Sequence, residues 1–348
     1  MPLLSVVTAA RRKAAALGST MHPDGYHGAR ERAGFFEGWY VKLVSADRSA
    51  RLAVIPGIFL GVDDPAGRHD EAFVQVLDGV TGRSWYERYD AADFHAATDR
   101  FDVTIGPNRF SDRGVTLELP ESGLRGTVRF DTEFDPWPVT VRSPGIMGWY
   151  AWVPVMECYH GVVSFGHGLS GSLSLDERAL AFDGGLGYLE KDWGRAFPSG
   201  YIWMQSNHFT RADVCLVASI AVIPWRRTEF RGFIVGLRMP GPDGNPTLHR
   251  FATYTGARTT KLTVDDERVH WSLRAKTGAT LEISAERRRG GLLHAPVRTQ
   301  MHRRVEETLD ARIHLTLTDP AGKVLLADSG EVAGLEVHGD IDSLLAMT

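Results

Sequence analysis

Residues 187 to 207 read GYLEKDWGRAFPSGYIWMQSN, which combines charge, aromatic rings and turn residues in one compact unit. Side chains of an extended strand alternate between its two faces, so Glu190 and Asp192 share one face. The breaker residues between Gly194 and Gly200 predict a connecting loop, and the chain extends again from Tyr201. The stretch therefore predicts a β-hairpin with two carboxylates on one face.

The returning strand of this predicted hairpin mixes aromatic and amide side chains on one face. That face consists of Tyr201, Trp203, Gln205 and Asn207. Aromatic rings with a polar edge and amides cost free energy when they are buried without partners, so such a face is typical of a ligand site. The alternative is a structural role, in which Glu190, Lys191 and Asp192 form a salt-bridged turn while Trp193 and Trp203 fill a core.

Composition excludes several classes of function. The chain has 348 residues, enough for one large domain or two of ordinary size. Its net charge of −4 and pI near 6.4 give no basic surface, so nucleic acid is not an expected partner. Two cysteines form no disulfide framework, which favours a reducing compartment, and we expect a cytoplasmic protein.

The N-terminus carries its basic cluster, Arg11 to Lys13, after a short apolar run. This order is wrong for a signal peptide, and the chain contains no stretch of the ~20 apolar residues that a membrane span needs. We interpret the segment as a frayed start. The alternative is a short amphipathic helix that contacts a membrane surface.

From Gly34 onward, short strands separated by Gly, Pro, Asp and Asn predict an all-β fold with under about a fifth of its residues in helix. Some twenty strands suggest two barrels or sandwiches side by side. We expect an N-terminal extension (1–30), a first barrel (31–150) and a second barrel (151–348). The segment 135–154, rich in Pro, Gly and Trp, is interpreted as a crossing between the halves, or alternatively as a lid over an apolar ligand.

Two further clusters carry candidate site residues. Glu37 shares a strand face with Phe35 and Trp39, and an apolar setting raises a carboxyl pKa as a general acid requires. The alternative is that Glu37 pairs with Lys42 or an arginine and holds the strand in register. The second cluster is Glu157, Tyr159 and His160, for which the alternative is a buried histidine with satisfied hydrogen bonds.

Motifs for metals, nucleotides and nucleophilic serines do not appear in the sequence. There is no HExxH, no tight Cys/His set, no GxGxxG or P-loop that connects a strand to a helix, and no GxSxG. We therefore expect neither metal nor cofactor.

Five stretches of the sequence together resemble the tocopherol cyclase family. The resemblance rests on GYHG and FFEGWY (residues 25–28 and 35–40), LEKDWGRAFPSGYIWMQSN (189–207), LLHAPV (292–297) and KVLLADSGEVAGLEVHG (323–339), which occur in the family's order. It implies a lipocalin-like double β-barrel that holds an apolar ligand. The implied activity is closure of a chroman ring on a prenylated hydroquinone, without redox cofactor or metal.

The middle motif departs from the family's usual pattern. Asp192 stands where the family usually has Asn, while Tyr201 and Ser206 replace the commoner Trp and Cys. With no plastid-type transit segment, the chain resembles a bacterial member whose substrate need not be a tocopherol precursor, and we expect a prenylated quinol or a related terpenoid.

The implied chemistry assigns a role to each candidate. Ring closure needs a proton on an alkene, and aromatic faces stabilise the resulting cation before a phenol oxygen captures it. The expected acid is Asp192 or Glu190, with Glu37 as the alternative. Trp39, Trp193 and Trp203 are the expected cation-facing wall, and Gln205 and Asn207 the groups that hold substrate oxygens. Further expected substrate-binding residues are Tyr40, Glu157, Tyr159 and His160.

Two other functions remain open from the sequence. A barrel with the same pocket could bind an apolar isoprenoid without catalysis, and a hydratase would let water replace the phenol. Carboxylates inside the pocket favour catalysis, whereas carboxylates turned outward around a smooth apolar interior favour binding alone.

Overall fold

The structure of the protein is a computed structural model that describes residues 18–63, 68–154, 156–297 and 300–347. It is nearly all β, with 60% strand and 7% helix, which confirms the predicted fold class and the low helix content. The N-terminal segment interpreted as a frayed start or membrane-contacting helix falls in residues 1–17, outside the described residues.

The first half of the chain supplies fourteen strands. They are β1 (Phe35–Val44), β2 (Arg51–Leu60), β3 (Asp70–Asp78), β4 (Ser84–Tyr89), β5 (Phe94–Ala96), β6 (Asp102–Ile105), β7 (Asn108–Ser111), β8 (Gly114–Leu119), β9 (Leu124–Phe130), β10 (Val139–Thr140), β11 (Ser143–Pro144), β12 (Cys158–Leu175), β13 (Arg178–Ala181) and β14 (Gly185–Gly194). Twelve form the first sheet, in the order β4-β3-β2-β1-β14-β12-β9-β8-β7-β6-β5 with β13 beside β12. The remaining two, β10 and β11, pair with each other.

The second half supplies eleven strands, which form the second sheet. They are β15 (Gly200–Ser206), β16 (His208–Phe209), β17 (Cys215–Trp225), β18 (Thr228–Pro240), β19 (Pro246–Ala252), β20 (Arg258–Val264), β21 (Arg268–Arg274), β22 (Thr280–Glu286), β23 (Gly291–Ala295), β24 (Arg303–Thr318) and β25 (Val324–Gly339). Their order is β19-β18-β17-β15-β25-β24-β22-β21-β20, with β16 beside β25 and β23 beside β24. Both large sheets are antiparallel.

The helices are short. Short 3₁₀ helices span Gly28–Arg30, Ala91–Asp93, Gly148–Trp152 and Thr253–Thr255, residues 18–20 are α-helical, and an α-helix, α1, spans Ile341–Ala346. None of the helices in the described part of the chain is long and apolar enough to cross a membrane.

The hairpin predicted from residues 187 to 207 is wrong, because β14 and β15 belong to different sheets. β14 pairs with β1 on one side and β12 on the other, while β15 pairs with β17 and β25. Both edges of each strand are therefore occupied. The breaker residues between them mark a crossing from one sheet to the other, which local turn chemistry does not distinguish from a hairpin.

Strand alternation produces three apolar layers. Trp39 points into the core of the first sheet and Trp271 into that of the second, while Tyr40, Tyr188 and Trp203 belong to a third cluster between the sheets. The chain changes sheet between Gly194 and Gly200, after the domain boundary predicted at residue 150. That boundary stays a prediction, since two sheets that share a buried layer need not be two domains.

The segment 135–154 does not cross between the sheets, contrary to the first interpretation. It leaves the first sheet after β9 and returns to it at β12, and these two strands pair directly. Its excursion packs on the second sheet, where the buried Trp137 ring lies against Gly236 and the Tyr254 hydroxyl donates to the Ile146 carbonyl at 2.9 Å. It therefore covers one side of the space between the sheets.

Candidate functional site

A large cavity opens between the two sheets. Its volume is about 1450 Å³, including the space at its mouth. Most of the wall is apolar, with rings and aliphatic chains from both sheets and from the covering segment, among them Phe36, Ile55, Phe73, Ile146, Met147, Tyr150, Phe197, Phe230, Phe233 and Val305. Such a wall suits an apolar ligand held away from water.

One side of this cavity is polar because alternate side chains of the paired strands β1 and β14 face it. Tyr40 lies opposite Glu190, so both side chains point between the sheets, and Asp192 follows on the same face of β14. The neighbouring strand β12 places His160 opposite Asp192. The carboxylate face predicted from the sequence therefore lines the cavity.

His160 is held between two carboxyl groups. Its Nδ1 lies 2.9 Å from Asp192 Oδ1, and its Nε2 lies 3.3 Å from Glu190 Oε2, in ion-pair contact without hydrogen-bond geometry. The hydroxyl of Tyr188 donates to Glu190 Oε2 at 2.5 Å. Burial lowers the pKa of His160, but Glu190 and Asp192 outweigh it and raise that pKa to about 10. His160 is therefore an imidazolium at neutral pH.

A second pair of carboxyl groups lies deeper in the same wall. Glu307 on β24 and Glu336 on β25 are cross-strand partners and both line the cavity. The Tyr40 hydroxyl donates to Glu307 Oε1, and the Tyr201 hydroxyl donates to Glu336 Oε2 at 2.6 Å. Burial, followed by the charge of Glu336, raises the pKa of Glu307 well above its usual range, and burial raises the pKa of Glu336 to about 7.

Lys42 lies beside this polar layer, on the same face of β1 as Tyr40, without lining the cavity. Its fully buried ammonium donates to Gln205 Oε1 at 2.9 Å and to the Val332 carbonyl at 2.5 Å. Burial lowers the pKa of Lys42 to about 8. Gln205, predicted to hold a substrate oxygen, thus binds this lysine and does not line the cavity.

Trp203 is the one member of the predicted tryptophan wall that lines the cavity. Its ring packs edge to face on Tyr40, with centroids 5.3 Å apart. Its indole Nε1 is buried and has no hydrogen-bond partner within the described ranges. Trp203 thus offers the cavity both an aromatic face and an unused donor.

The other two tryptophans lie on the far side of the first sheet, so their predicted place in the cavity wall is wrong. Trp39 is fully buried in the first core, and its indole donates to the Asp24 carbonyl at 3.1 Å. Trp193 stacks on His27 at 4.0 Å and on Tyr159 at 5.5 Å. Both follow the period of two, which places odd-numbered residues of β1 and β14 away from the cavity.

Glu37 also lies on that far side, and its predicted role as an acid is wrong. Its carboxylate pairs with the Lys191 ammonium, lies 3.1 Å from His27 Nδ1, and accepts the backbone N–H of His27 (2.9 Å) and of Gly28 (3.2 Å). Burial alone would raise the pKa of Glu37, but Lys191 and His27 lower it. Glu37 is an ionised clamp that holds the N-terminal segment on the sheet. The alternative partner Lys42 points the opposite way.

Two other predicted binding residues do not line the cavity. The Asn207 amide donates to the Gly187 carbonyl at 3.0 Å, so it ties the second sheet to the first. Glu157 precedes β12, and its carbonyl accepts the Arg195 N–H at 2.8 Å. Tyr159 reaches the cavity, with its hydroxyl donating to the Val153 carbonyl at 2.5 Å.

Glu307 and Glu336 are the residues that sequence reasoning missed. Glu336 lies in the last motif of the resemblance, between Leu335 and Val337. A carboxyl group between apolar neighbours on a predicted strand was the signal that could have marked it as a candidate. Glu307 follows the exposed Glu306 in a charged stretch, where nothing local marks one of them as buried.

The sequence also matches a family model. Residues 109–339 match the model described as tocopherol cyclase-like. The chain belongs to the tocopherol cyclase-like family. This confirms the resemblance.

A curated member of the family is similar over part of its length. This relative, named as a probable chloroplastic tocopherol cyclase of Oryza sativa subsp. japonica, is 25% identical over 213 residues, which are 58% of this chain and 44% of the relative. The match thus spans less than half of the relative's length.

A solved structure with little sequence identity to this chain shares the fold, and a second is similar at a lower TM-score. CghA is 12% identical, with 88% of each chain covered and a TM-score of 0.50. Kievitone hydratase from Nectria haematococca is 13% identical, with 92% of this chain and 95% of that chain covered and a TM-score of 0.46.

Proposed function

We propose that the protein is a cofactor-independent cyclase that protonates a prenyl alkene and closes a chroman-type ring on a prenylated hydroquinone or a related terpenoid. Family membership supports the reaction class. The observation that carries the proposal is the inter-sheet cavity, where an apolar wall meets a cluster of buried carboxyl groups and an imidazolium.

Carboxyl groups inside the cavity favour catalysis over simple binding. A protein that only stores an apolar ligand gains nothing from buried ionisable groups, because their desolvation costs free energy. In this cavity Glu190 and Glu307 have side chains that are at most 4% exposed, although both reach the wall. Perturbed pKa values in a cleft are typical of catalytic sites.

The reaction balances without an added reagent. An acid of the wall transfers a proton to the alkene, whose π electrons form the new C–H bond and leave a tertiary cation. A phenol oxygen of the substrate then forms the C–O bond and loses its proton to a wall carboxylate. Substrate and product are isomers, and if water replaces the phenol the same steps give a hydration.

Different parts of the cavity wall would stabilise the cation and accept the proton of the substrate hydroxyl. Trp203 and Tyr40 present π faces to a cation, which stabilise it most where water is excluded. Asp192, Glu190 and His160 form the end where a substrate hydroxyl would bind and give up its proton. The cavity also folds the prenyl chain, since closure requires the oxygen and the cationic carbon to meet.

Deuterium incorporation tests the proposal. The protein is incubated with 2-geranylhydroquinone in D₂O, the products are separated, and their masses are measured by mass spectrometry. A cyclase gives an isomeric product that carries one carbon-bound deuterium, whereas a hydratase adds a molecule of water. A probe that binds and returns unchanged would make the protein a binding protein and overturn the proposal.

Two variants test the polar end. Glu190→Gln should lower turnover by ~10²-fold or more with the probe still bound, as is typical when a group that moves a proton is removed. Asp192→Asn installs the residue usual in the family's motif, so retained turnover would exclude Asp192 as an essential acid. Glu306→Gln, on an exposed position, is the control and should match the wild type.

A further inference from the structure

We infer that Glu307, paired with Glu336, is the acid that protonates the substrate, which makes Glu307 a catalytic residue and Glu336 a positioning residue. The inference rests on the proposed cyclase function and names the proton donor of that same site. It replaces the predicted donors Asp192 and Glu190, which are occupied with His160.

The two oxygens of Glu307 have different surroundings. Oε1 accepts the Tyr40 hydroxyl, whereas Oε2 is buried and accepts no hydrogen bond from a donor among the residues that the structure describes. The side chain also lines the cavity. A buried carboxyl oxygen that no donor serves is explained if it carries a proton, and the neighbouring Glu336 carboxyl is the group that accepts a hydrogen bond from that proton before substrate binds.

The groups around Glu307 and Glu336 favour retention of a proton on this pair. The titratable groups facing it are Tyr40 and Lys42 from β1, Glu190 and Asp192 from β14, and Tyr201 from β15, with His160 from β12 beyond the two carboxylates. Within the described ranges, no cation forms an ion pair with either carboxyl. Lys42, the cation that acts on Glu307, is hydrogen-bonded to Gln205 and Val332.

The pKa directions agree with this geometry. Burial and the neighbouring Glu336 raise the pKa of Glu307 well above its usual range, so Glu307 holds its proton more tightly than an ordinary carboxyl group. Burial raises the pKa of Glu336 to about 7. When Glu336 ionises, its charge makes loss of the Glu307 proton harder still, as in other pairs of adjacent carboxyl groups.

The proton transfer conserves atoms and charge. The O–H bond at Glu307 breaks and a C–H bond forms at the alkene, which leaves a tertiary cation and a Glu307 carboxylate. The Tyr40 hydroxyl, already bonded to Oε1, stabilises that carboxylate. After the substrate oxygen captures the cation, it gives its proton to the carboxylates beside His160, and exchange with water releases that proton and returns one to the Glu307 carboxylate before the next turnover.

Single-turnover cyclisation of 2-geranylhydroquinone tests the assignment. Glu307→Gln should slow product formation by ~10²-fold or more while the probe still binds, since a general acid typically contributes this much. Glu306→Gln is the matched control, because it makes the same change one residue away on an exposed position, and it should turn over like the wild type.

Glu336→Gln tests positioning. Removing the neighbouring charge lowers the pKa of Glu307, so the rate should fall with rising pH at a lower pH than in the wild type, with turnover preserved on the acidic side. A uniform loss at every pH, or an unmoved falling limb, would overturn the role of Glu336.

Infrared spectroscopy supplies a readout that needs no turnover. Wild-type protein at pH 7 should show carbonyl absorption from protonated buried carboxyl groups of the Glu307–Glu336 pair, and Glu307→Gln should lose the Glu307 component, which Glu306→Gln keeps. Lack of this difference overturns the assignment. If the wild type cyclises the probe and Glu307→Gln does so at the same rate, the assignment is wrong while the proposed function stands; if the wild type leaves the probe unchanged, the proposed function fails.

Discussion

The two faces of β14 each carry buried acid and base groups, but they hold their protons differently. On the face toward the first core, Lys191 supplies a cation to Glu37, and His27 lies 3.3 Å from the Lys191 ammonium. Burial and then Lys191 lower the pKa of His27. On the cavity face, His160 is the cation for Glu190 and Asp192, and its pKa is raised to about 10.

Burial alone therefore does not decide which group is charged. Glu37 and Glu307 are both at most 1% exposed, yet the pKa of Glu37 is lowered and that of Glu307 is raised. The difference is the nearest partner, an ammonium for Glu37 and a second carboxyl for Glu307. The first arrangement suits a structural clamp, and the second suits a reservoir for a transferable proton.

The same Glu→Gln change at both positions should separate the two roles. Glu37→Gln leaves the buried Lys191 without its counter-charge, and breaking a buried pair in this way costs ~3–5 kcal/mol of the free energy of unfolding. Glu307→Gln replaces one neutral group by another of similar shape, and we expect a cost within about 1 kcal/mol. Urea titration followed by tryptophan fluorescence measures both. Equal losses would contradict the contrast between clamp and proton reservoir.

The pH dependence of stability should differ between the wild type and the cavity variants. His160 has a folded pKa near 10, above the ordinary 6.5, so the stability that it contributes is complete below pH 6.5 and is lost as pH rises toward 10. Glu307 acts in the same direction, because it keeps a proton that the unfolded chain releases. His160 should lower the free energy of unfolding by at most about 1.4 kcal/mol per pH unit between pH 6.5 and 8, and Glu307 contributes a decline of the same sign.

His160→Gln and Glu307→Gln should each make the fall of the free energy of unfolding with pH less steep, by the contribution of the one titrating group that each substitution removes. Above pH 8 the slopes of wild type and variants are harder to compare, because Lys42, with a folded pKa of about 8, makes the free energy of unfolding rise with pH. Urea titrations at pH 6.5, 7.25 and 8 give the slopes. An unchanged slope in His160→Gln would mean that His160 is neutral in the folded protein.

A smaller effect tests the other face. Lys191→Met removes the cation that lowers the pKa of His27 while Glu37 remains beside the ring, so the pKa of His27 should rise. NMR titration of the ring protons measures the shift, with His160 as the internal control that should hardly move. A His27 pKa unaffected by this substitution would show that burial, and not Lys191, keeps the ring neutral.

The sequence determined the local pattern of this protein. Short strands with a period of two predicted the all-β class, which the strand content of the structure confirms. Alternation also placed Glu190 and Asp192 on one face, together with Trp203 from β15 in the same cavity. These features depend on residues close together in the chain, which a sequence shows directly.

Only the tertiary structure decided which strands meet. Breaker residues between β14 and β15 could not show that the chain crosses to a second sheet, and so the hairpin prediction failed. The same limitation hid the partner of Glu37, Lys191, and the pairing of Glu307 with Glu336 across β24 and β25. The charge of a buried carboxyl depends on groups within a few ångströms in space, and in this protein those groups come from distant parts of the chain.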